Sequence, residues 1–280
     1  MVLAQETEPE TPEQVLDTVL VEGDRIRGKT LSDIEPELVL TEEDIAAYGA
    51  GSLGELVGLI SADISSNRGR SAGPPVVLIN GRRVSGFREV GRYPVEALAR
   101  VEVLPEEVSL SYGFAADQRV LNFVLKPNIT VTTLTGRAAA PQQGDQVAIE
   151  GAGQRLHVNG AKRLSLDGEI KRSDRILEAD RDIAFVDAAE LAEFRTLLPE
   201  TLEWNLGGSA GREIWSGAVA TLNGSYVTTR AEDLLGPAPS KIDPLSQVRD
   251  TEDIFAGLSI ASALAPTTWT FTANINQITL

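Results

Sequence analysis

Two periods run through this chain. As far as about residue 126 the apolar positions fall into short helical and strand-like groups. From Ile129 onward they alternate with polar ones at a spacing of two. In the first half, Leu53, Leu56, Val57 and Ile60 stand at i, i+3, i+4 and i+7, which predicts one apolar face of a helix. Ser52 and Glu55 form a capping box ahead of it. Thr41 and Asp44 form another, opening a shorter helix over Ile45, Ala46, Ala47 and Tyr48 that Gly49 stops. Residues 67–73 predict a loop, and Pro74 and Pro75 disfavour helix at its exit. Val76 to Ile79 predicts a strand, Asn80 and Gly81 a two-residue hairpin turn, and Arg82, Arg83 and Val84 the return. Pro94 suits the first turn of a short helix reaching Leu98. Val101 to Val103 and Val120 to Leu125 add two strands. The pattern implies short helices packed on a small mixed sheet.

The second half predicts seven strands, at about 130–140, 145–158, 161–175, 201–212, 216–231, 250–264 and 267–280. Leu164, Leu166, Gly168 and Ile170 alternate with Arg163, Ser165, Asp167, Glu169 and Lys171. Trp269, Phe271, Ala273 and Ile275 alternate with Thr270, Thr272, Asn274 and Asn276. Links at 159–160, 211–215 and 265–266 read as short, those at 176–200 and 232–249 as long. One apolar and one polar face suit a soluble sheet with a wet side. They equally suit a barrel with lipid outside and water inside.

Four segments in order narrow the choice. Asp17, Thr18, Val19, Leu20 and Val21 come first; then Arg100-Val-Glu-Val-Leu104, Ser111-Tyr-Gly-Phe114 and Val120-Leu-Asn-Phe-Val-Leu-Lys126. Together they resemble the TonB-dependent transporters of the Gram-negative outer membrane. The first is similar to a TonB box. The later ones are similar to the end of the plug domain, whose usual form reads I-E-R-V-E-V-L, Y-G and V-I-N-I-V. The chain departs from the family at Pro105, Glu106 and Glu107, where many members have Arg-Gly-Pro. It departs again at Gln118 and Arg119, where many have paired glycines. Transfer of a substrate from well-known members is therefore unsafe.

The resemblance implies an α+β plug domain followed by antiparallel β-strands of an incomplete transmembrane β-barrel. Residues 1–16 are expected to be a flexible acidic leader, 17–128 the TonB box and plug, and 129–280 about seven N-terminal barrel strands. The implied function is energy-coupled, ligand-gated uptake of a scarce solute, such as an iron chelate, cobalamin or oligosaccharide, across the outer membrane, with the plug facing the periplasm. The implied partners are the C-terminal domain of TonB, outer-membrane lipid and the carried small molecule. Seven strands cannot close around a folded domain as a 22-strand barrel does, and an open edge in hydrocarbon leaves backbone groups unpaired. The remaining strands are thus expected elsewhere in a parent protein or on another chain. The alternative is a non-transporting periplasmic or surface binding module with a plug-like part and a soluble sheet. A signal-transducing receptor, with an extra domain of about 80 residues ahead of the TonB box, is the weaker rival, since sixteen residues precede Asp17.

Composition removes several other classes. The net charge of −16 argues against nucleic acid, which needs a clustered basic surface. There is no cysteine, so no disulfide or thiolate site. No apolar run approaches the roughly 20 residues of a membrane helix. Residues 1–45 carry 13 Asp and Glu against 3 Lys and Arg and include Pro9, Pro12 and Pro36, so this stretch is expected to be extended and mobile. Val2, Leu3 and Ala4 fit either the end of a removed secretory signal or an ordinary disordered terminus.

Residues 17–21 have two readings: a mobile segment that adds as a strand to TonB, or the first structural strand of the plug. Arg68, Gly69 and Arg70, with Gly86, Phe87 and Arg88, are expected in loops. By resemblance these are plug apices that touch the ligand; the competing reading has such arginines solvated or bridging to the barrel wall. His157 is the lone histidine and lacks metal-ligand company. Glu106 and Glu107, and Asp180 with Asp182, read as solvated carboxylates. The run from Leu206 to Ser209 lacks the lysine of a phosphate loop and reads as strand packing. Neither a catalytic triad nor a carboxylate pair emerges, so no enzyme, cofactor or metal site is expected.

Overall fold

The structure is a computed structural model that describes residues 28–30, 34–64, 75–116, 118–140, 146–181, 189–215, 217–238, 243–262 and 269–279. Residues 17–21 and the 68–70 loop lie outside the described residues.

The first half builds a five-stranded mixed sheet from β1 (Leu38–Thr41), β2 (Val76–Ile79), β3 (Arg82–Arg83), β4 (Leu98–Leu104) and β5 (Val120–Leu125), in the order β1-β4-β5-β2-β3. Only the β2–β5 pair is parallel. All six residues of β5 are buried, as a central strand covered on both faces requires. The turn after β2 has positive φ at Asn80 (50°) and Gly81 (74°), the conformation of a type I′ hairpin. Asn80 also accepts a hydrogen bond from the Leu125 amide at 2.8 Å.

Helix α1 (Glu42–Ala47) starts on the expected capping box: the Asp44 amide donates to Thr41 Oγ1 at 3.4 Å and the Thr41 amide to Asp44 Oδ2 at 2.8 Å. Helix α2 (Leu53–Ile64) has the expected face, with Leu53, Leu56 and Ile60 fully enclosed. Its cap is a variant: the Glu55 amide donates to Ser52 Oγ at 3.3 Å, but the Glu55 carboxylate reaches back to the Gly51 amide at 2.8 Å. These residues, with Tyr93, Val101, Leu121 and Phe123, form the main core.

Four local expectations change. Leu38–Thr41, within the stretch expected to be mobile, is an edge strand: three successive apolar residues pair with β4 while the acidic charge stays outside, and Glu37 meets Arg119 at 2.6 Å. Residues 86–88 do not form a loop. Gly86 leads into α3 (Phe87–Val90), because the Glu89 carboxylate folds back to accept from the Ser85 amide at 2.8 Å. Residues 105–107 lead into α4 (Glu107–Ser111), and Glu106 is buried rather than solvated. Val108 of α4 and Tyr112 just after it close a second small core with Leu78, Leu104 and Val120. Pro94 precedes one turn of 3-10 helix, Val95–Ala97, rather than an α-helix.

The second half is a seven-stranded, wholly antiparallel sheet: β6 (Asn128–Ala139), β7 (Ala148–Asn159), β8 (Lys162–Ser173), β11 (Glu200–Trp215), β12 (Ala218–Pro237), β13 (Pro244–Ser262) and β14 (Trp269–Thr279). A small pair, β9 (Ile176–Leu177) with β10 (Thr196–Leu198), sits in the long link between β8 and β11. All seven expected strands are present. The 232–249 link, expected to be long, is instead mostly strand, because β12 and β13 stay paired as far as Pro237 and Pro244. The 211–215 turn lies later, at Gly217 (φ 77°). Gly211 belongs within β11 because a Cβ there would stand 2.9 Å from the Arg163 side chain. Among the described residues β6 and β14 each pair on one side only, so the sheet is open.

Candidate functional site

The two faces of the seven-stranded sheet differ in polarity, and the polar face is the one turned towards the first half. Ser165 (2% exposed), Ser209, Thr221 (3%), Asn223 and Ser259 are buried there. Leu166 (57%), Leu206 (56%), Leu222 (60%) and Ile275 (74%) stand exposed on the other face. This inverts the usual distribution, in which a sheet buries its apolar side.

The seam between the halves is made of named pairs. Arg92, just after α3, reaches Asp167 at 2.8 Å and Glu169 at 3.2 Å on β8. Arg163 on β8 reaches Glu89 of α3 at 2.9 Å and donates to Thr221 Oγ1 at 2.9 Å. Tyr93 Oη and Ser209 Oγ share a 2.7 Å hydrogen bond, and enclosure of Tyr93 raises its pKa above the usual phenol value. Ser85 Oγ donates to Asn223 Oδ1 at 2.9 Å. Glycines on the wall make this approach possible. A Cβ at Gly207 would meet the Asp167 carboxylate at 2.6 Å, and one at Gly257 would meet Asn223 Oδ1 at 2.4 Å. The run from Leu206 to Ser209 is thus strand packing, as its sequence suggested. Only near β6 and β7 is the seam apolar, where Leu156 and Val158 join the main core.

A cleft of about 420 Å³ opens between α3 and the wall, lined by Phe87, Arg88 and Arg92 on one side and by Asn205, Asn223 and Phe255 on the other. Arg88 ion-pairs with Asp253 at 3.4 Å, and its guanidinium carbon lies 5.5 Å from the centre of the Phe255 ring. Phe87 is exposed. The structure therefore brings Phe87 and Arg88 into one cleft and gives Arg88 a wall carboxylate as partner. Arg92, Tyr93 and Glu89 were missed in the sequence. Asp167 and Glu169 stood on the polar register of β8, but nothing in the one-dimensional pattern linked them to Arg92, 75 and 77 residues away.

A second feature lies where residues 28–29 meet the five-stranded sheet. Asn122, fully buried in β5, holds three segments at once: its Nδ2 donates to the Gly28 carbonyl and to Glu102, and its Oδ1 accepts from the Gly81 amide, each at 2.8 Å. A Cβ on Gly81 would stand 2.1 Å from the Lys29 carbonyl oxygen, so the chain entering at 28–29 lies directly on the hairpin turn.

On the outer face, the apolar band has charged limits. Lys162 and Arg172 bracket Leu164 to Ile170 on β8; Glu200 and Arg212 bracket the outward residues of β11. From β11 to β14 the upper limit steps steadily across the sheet, whereas from β8 to β11 it runs the other way, Arg172 standing opposite Leu202. Arg230 of β12 pairs with Leu202, two residues inside Glu200. Glu252 of β13 pairs with Thr228, two residues further along, and Gln277 of β14 pairs with Ile254, two more. Trp215 and Trp269 meet at the opposite, turn-bearing end, with ring centres 6.1 Å apart. His157 points outward on β7, where its Nδ1 lies 2.8 Å from Thr130 Oγ1.

No protein-family model matches the chain. No curated protein matches it either. Among solved structures it is similar to the siderophore receptor PirA of Pseudomonas aeruginosa, at 15% identity and a TM-score of 0.41, over 86% of this chain and 40% of that one. It is also similar to the ferric-catecholate import receptor Fiu of E. coli K12, at 12% identity and a TM-score of 0.33, over 85% and 49%. PirA of Acinetobacter baumannii matches at 14% and 0.35, over 86% and 47%. The chain spans less than half the length of each.

Proposed function

We propose that this chain is the plug-bearing part of a TonB-dependent outer-membrane receptor. Residues 1–16 are its acidic leader, 17–128 its TonB box and plug, and 129–280 the first strands of its barrel wall, completed by strands beyond those seen here. The receptor takes up a scarce solute such as an iron chelate, cobalamin or oligosaccharide. One observation carries the reading: the sheet is apolar on its free face and polar where it meets protein. In water such a face would be an exposed apolar area far beyond that of ordinary monomers. Against lipid it is the expected surface.

The shape of the band supports this. Lys162 and Arg172 are ten residues apart, about 34 Å along a strand, or about 24 Å of depth at a 45° tilt, against an expected band of about 25 Å. From β11 to β14 the limit steps two residues per strand, about 6.8 Å along for about 4.8 Å across. That is a slant of roughly 50–55°, steeper than the 35–45° tilt of membrane strands but in the sense a tilted strand requires. The soluble-module alternative requires the same face to be a protein core.

The polar seam suits a plug that must move. Ion pairs and hydrogen bonds such as Arg92–Asp167 can be exchanged for water as the halves part, whereas an apolar seam could not. TonB adding as a strand to Asp17, Thr18, Val19, Leu20 and Val21 would pull on residues 28–29, and Asn122 passes that load to the centre of the five-stranded sheet. In this reading Arg68, Gly69, Arg70, Phe87 and Arg88 meet the ligand, which draws Arg88 from Asp253.

Spin labels in lipid test the proposal. Labels at positions 271 and 273 are expected to be relaxed by oxygen dissolved in the bilayer, and labels at 272 and 274 are not. Protection of 271 and 273 would mean that protein covers them, and the binding-module reading would replace this one.

A further inference from the structure

At the turn end of the seam, away from the ligand cleft, Arg82 of β3 and Arg163 of β8 line one cavity of about 230 Å³. Each turns an N–H group into buried space without a hydrogen-bond partner among the described residues: Nη1 of Arg82 and Nε of Arg163. Arg163 is only 11% exposed, and its Nη2 is already spent on Glu89 and Thr221. A buried N–H left unmade is costly, more so on a charged group. Burial holds the Arg82 pKa below the usual guanidinium value; the Glu213 carboxylate offsets part of this, and the positive charge of Arg163 adds to it. The site therefore carries two adjacent cations, each with a donor to spare.

The rest of the lining sets the kind of guest. Ile79, Leu125, Val158 and Val219 give the cavity apolar walls. Two donors from two guanidiniums can each meet one oxygen of a single carboxylate, and charge-assisted hydrogen bonds of this kind are shorter and stronger than neutral ones. A doubly charged phosphate would have to shed its water against aliphatic side chains.

We propose that this cavity is a binding site for a short branched or linear aliphatic carboxylate, its head between Arg82 and Arg163 and its tail against Ile79, Leu125, Val158 and Val219. Because Arg82 belongs to the five-stranded half and Arg163 to the wall, the guest braces the seam, and its occupancy favours the seated arrangement of the two halves. The assignment stands on this geometry and does not depend on the uptake reading.

Equilibrium dialysis of the full chain in detergent micelles against radiolabelled isobutyrate tests it. One saturable site per chain is expected above the linear partition into detergent. Arg82→Met should weaken it at least tenfold, and Arg82→Lys, which keeps the charge but not the planar guanidinium donor, by less. Arg212→Met, on the outer face, should leave it unchanged and serves as the folding control. Saturable phosphate binding without isobutyrate binding would overturn the carboxylate assignment. Failure of both anions to saturate would leave water as the partner of the two N–H groups and overturn the site, as would unchanged binding by Arg82→Met.

Discussion

The two sheets of this chain place their apolar and polar residues in opposite directions. In the five-stranded half, Leu78, Leu121 and Phe123 are fully enclosed, and the charged residues are largely turned to water or to the seam. In the seven-stranded half Ser165, Ser209, Thr221, Asn223 and Ser259 are enclosed, while Leu166, Leu206, Leu222 and Ile275 face outward. Hydropathy marks which strands are two-faced, as in the seven-stranded half, and which are apolar almost throughout, as β2 and β5 are, but not which face meets protein. What separates them is which register finds protein. The first sheet has helices to receive its apolar side. The second offers its polar side to a half whose surface bears Arg92, Tyr93, Ser85 and Glu89, and its apolar side faces away from that half.

The largest test of that contrast compares two phenylalanines. Phe123 is wholly enclosed in β5, and Phe123→Ala is expected to destabilise the five-stranded half by about 3–5 kcal/mol, through lost burial and the cavity left behind. Phe271 stands about half exposed on β14. Phe271→Ala opens no cavity in protein and should lower the denaturant midpoint of that half far less, by the lost contact of one ring with lipid alone. Equal losses would mean that both rings pack in protein, and the contrast would collapse.

A charge placed on each face of the wall gives the next effect. Leu166→Arg sits within the apolar band of β8 and is expected to cost about 2–4 kcal/mol for the chain in lipid vesicles. Thr229→Arg lies on the inner register of β12, directly opposite Glu203, and should be tolerated. Unfolding titrations in vesicles measure both. A soluble sheet with an exposed Leu166 would tolerate Leu166→Arg as well, so tolerance at both positions would sink the lipid assignment.

Much of this was legible in the sequence because it rested on local chemistry. The capping residues Thr41 and Asp44, the Asn80-Gly81 turn, the Leu53 to Ile60 face and all seven strands follow from neighbours within a few positions. The losses have a common cause. Leu38–Thr41 is a strand only because β4, about sixty residues on, presents an open edge. Residues 232–249 extend a hairpin because each long strand supports the other. Arg92 and Arg163 matter through partners at least 58 residues away in sequence. The two-period alternation announced two faces, but the direction each face points is a tertiary fact. No short-range rule contains it.

The smallest effect belongs to a helix end in the first half and isolates a device the wall strands do not use. Asp44 accepts from the Thr41 amide and from the Thr41 hydroxyl, and these hydrogen bonds hold its pKa below the ordinary carboxylate value. The sign follows from linkage. A carboxyl group with a depressed folded-state pKa binds a proton more readily when unfolded, so its contribution is complete above the unfolded value and disappears as pH falls through the folded one. Asp44→Asn should therefore lower the stability of the five-stranded half slightly at neutral pH. The difference from the parent chain should shrink as the pH is taken below about 4, the usual carboxylate range. Because the group lies at the surface, added salt should weaken the effect. Denaturant midpoints of the two chains, read from pH 7 down to pH 3, provide the check. A gap that stays constant across that range would mean that α1 is held by its packing through Ile45 alone, and that the capping box contributes shape without charge.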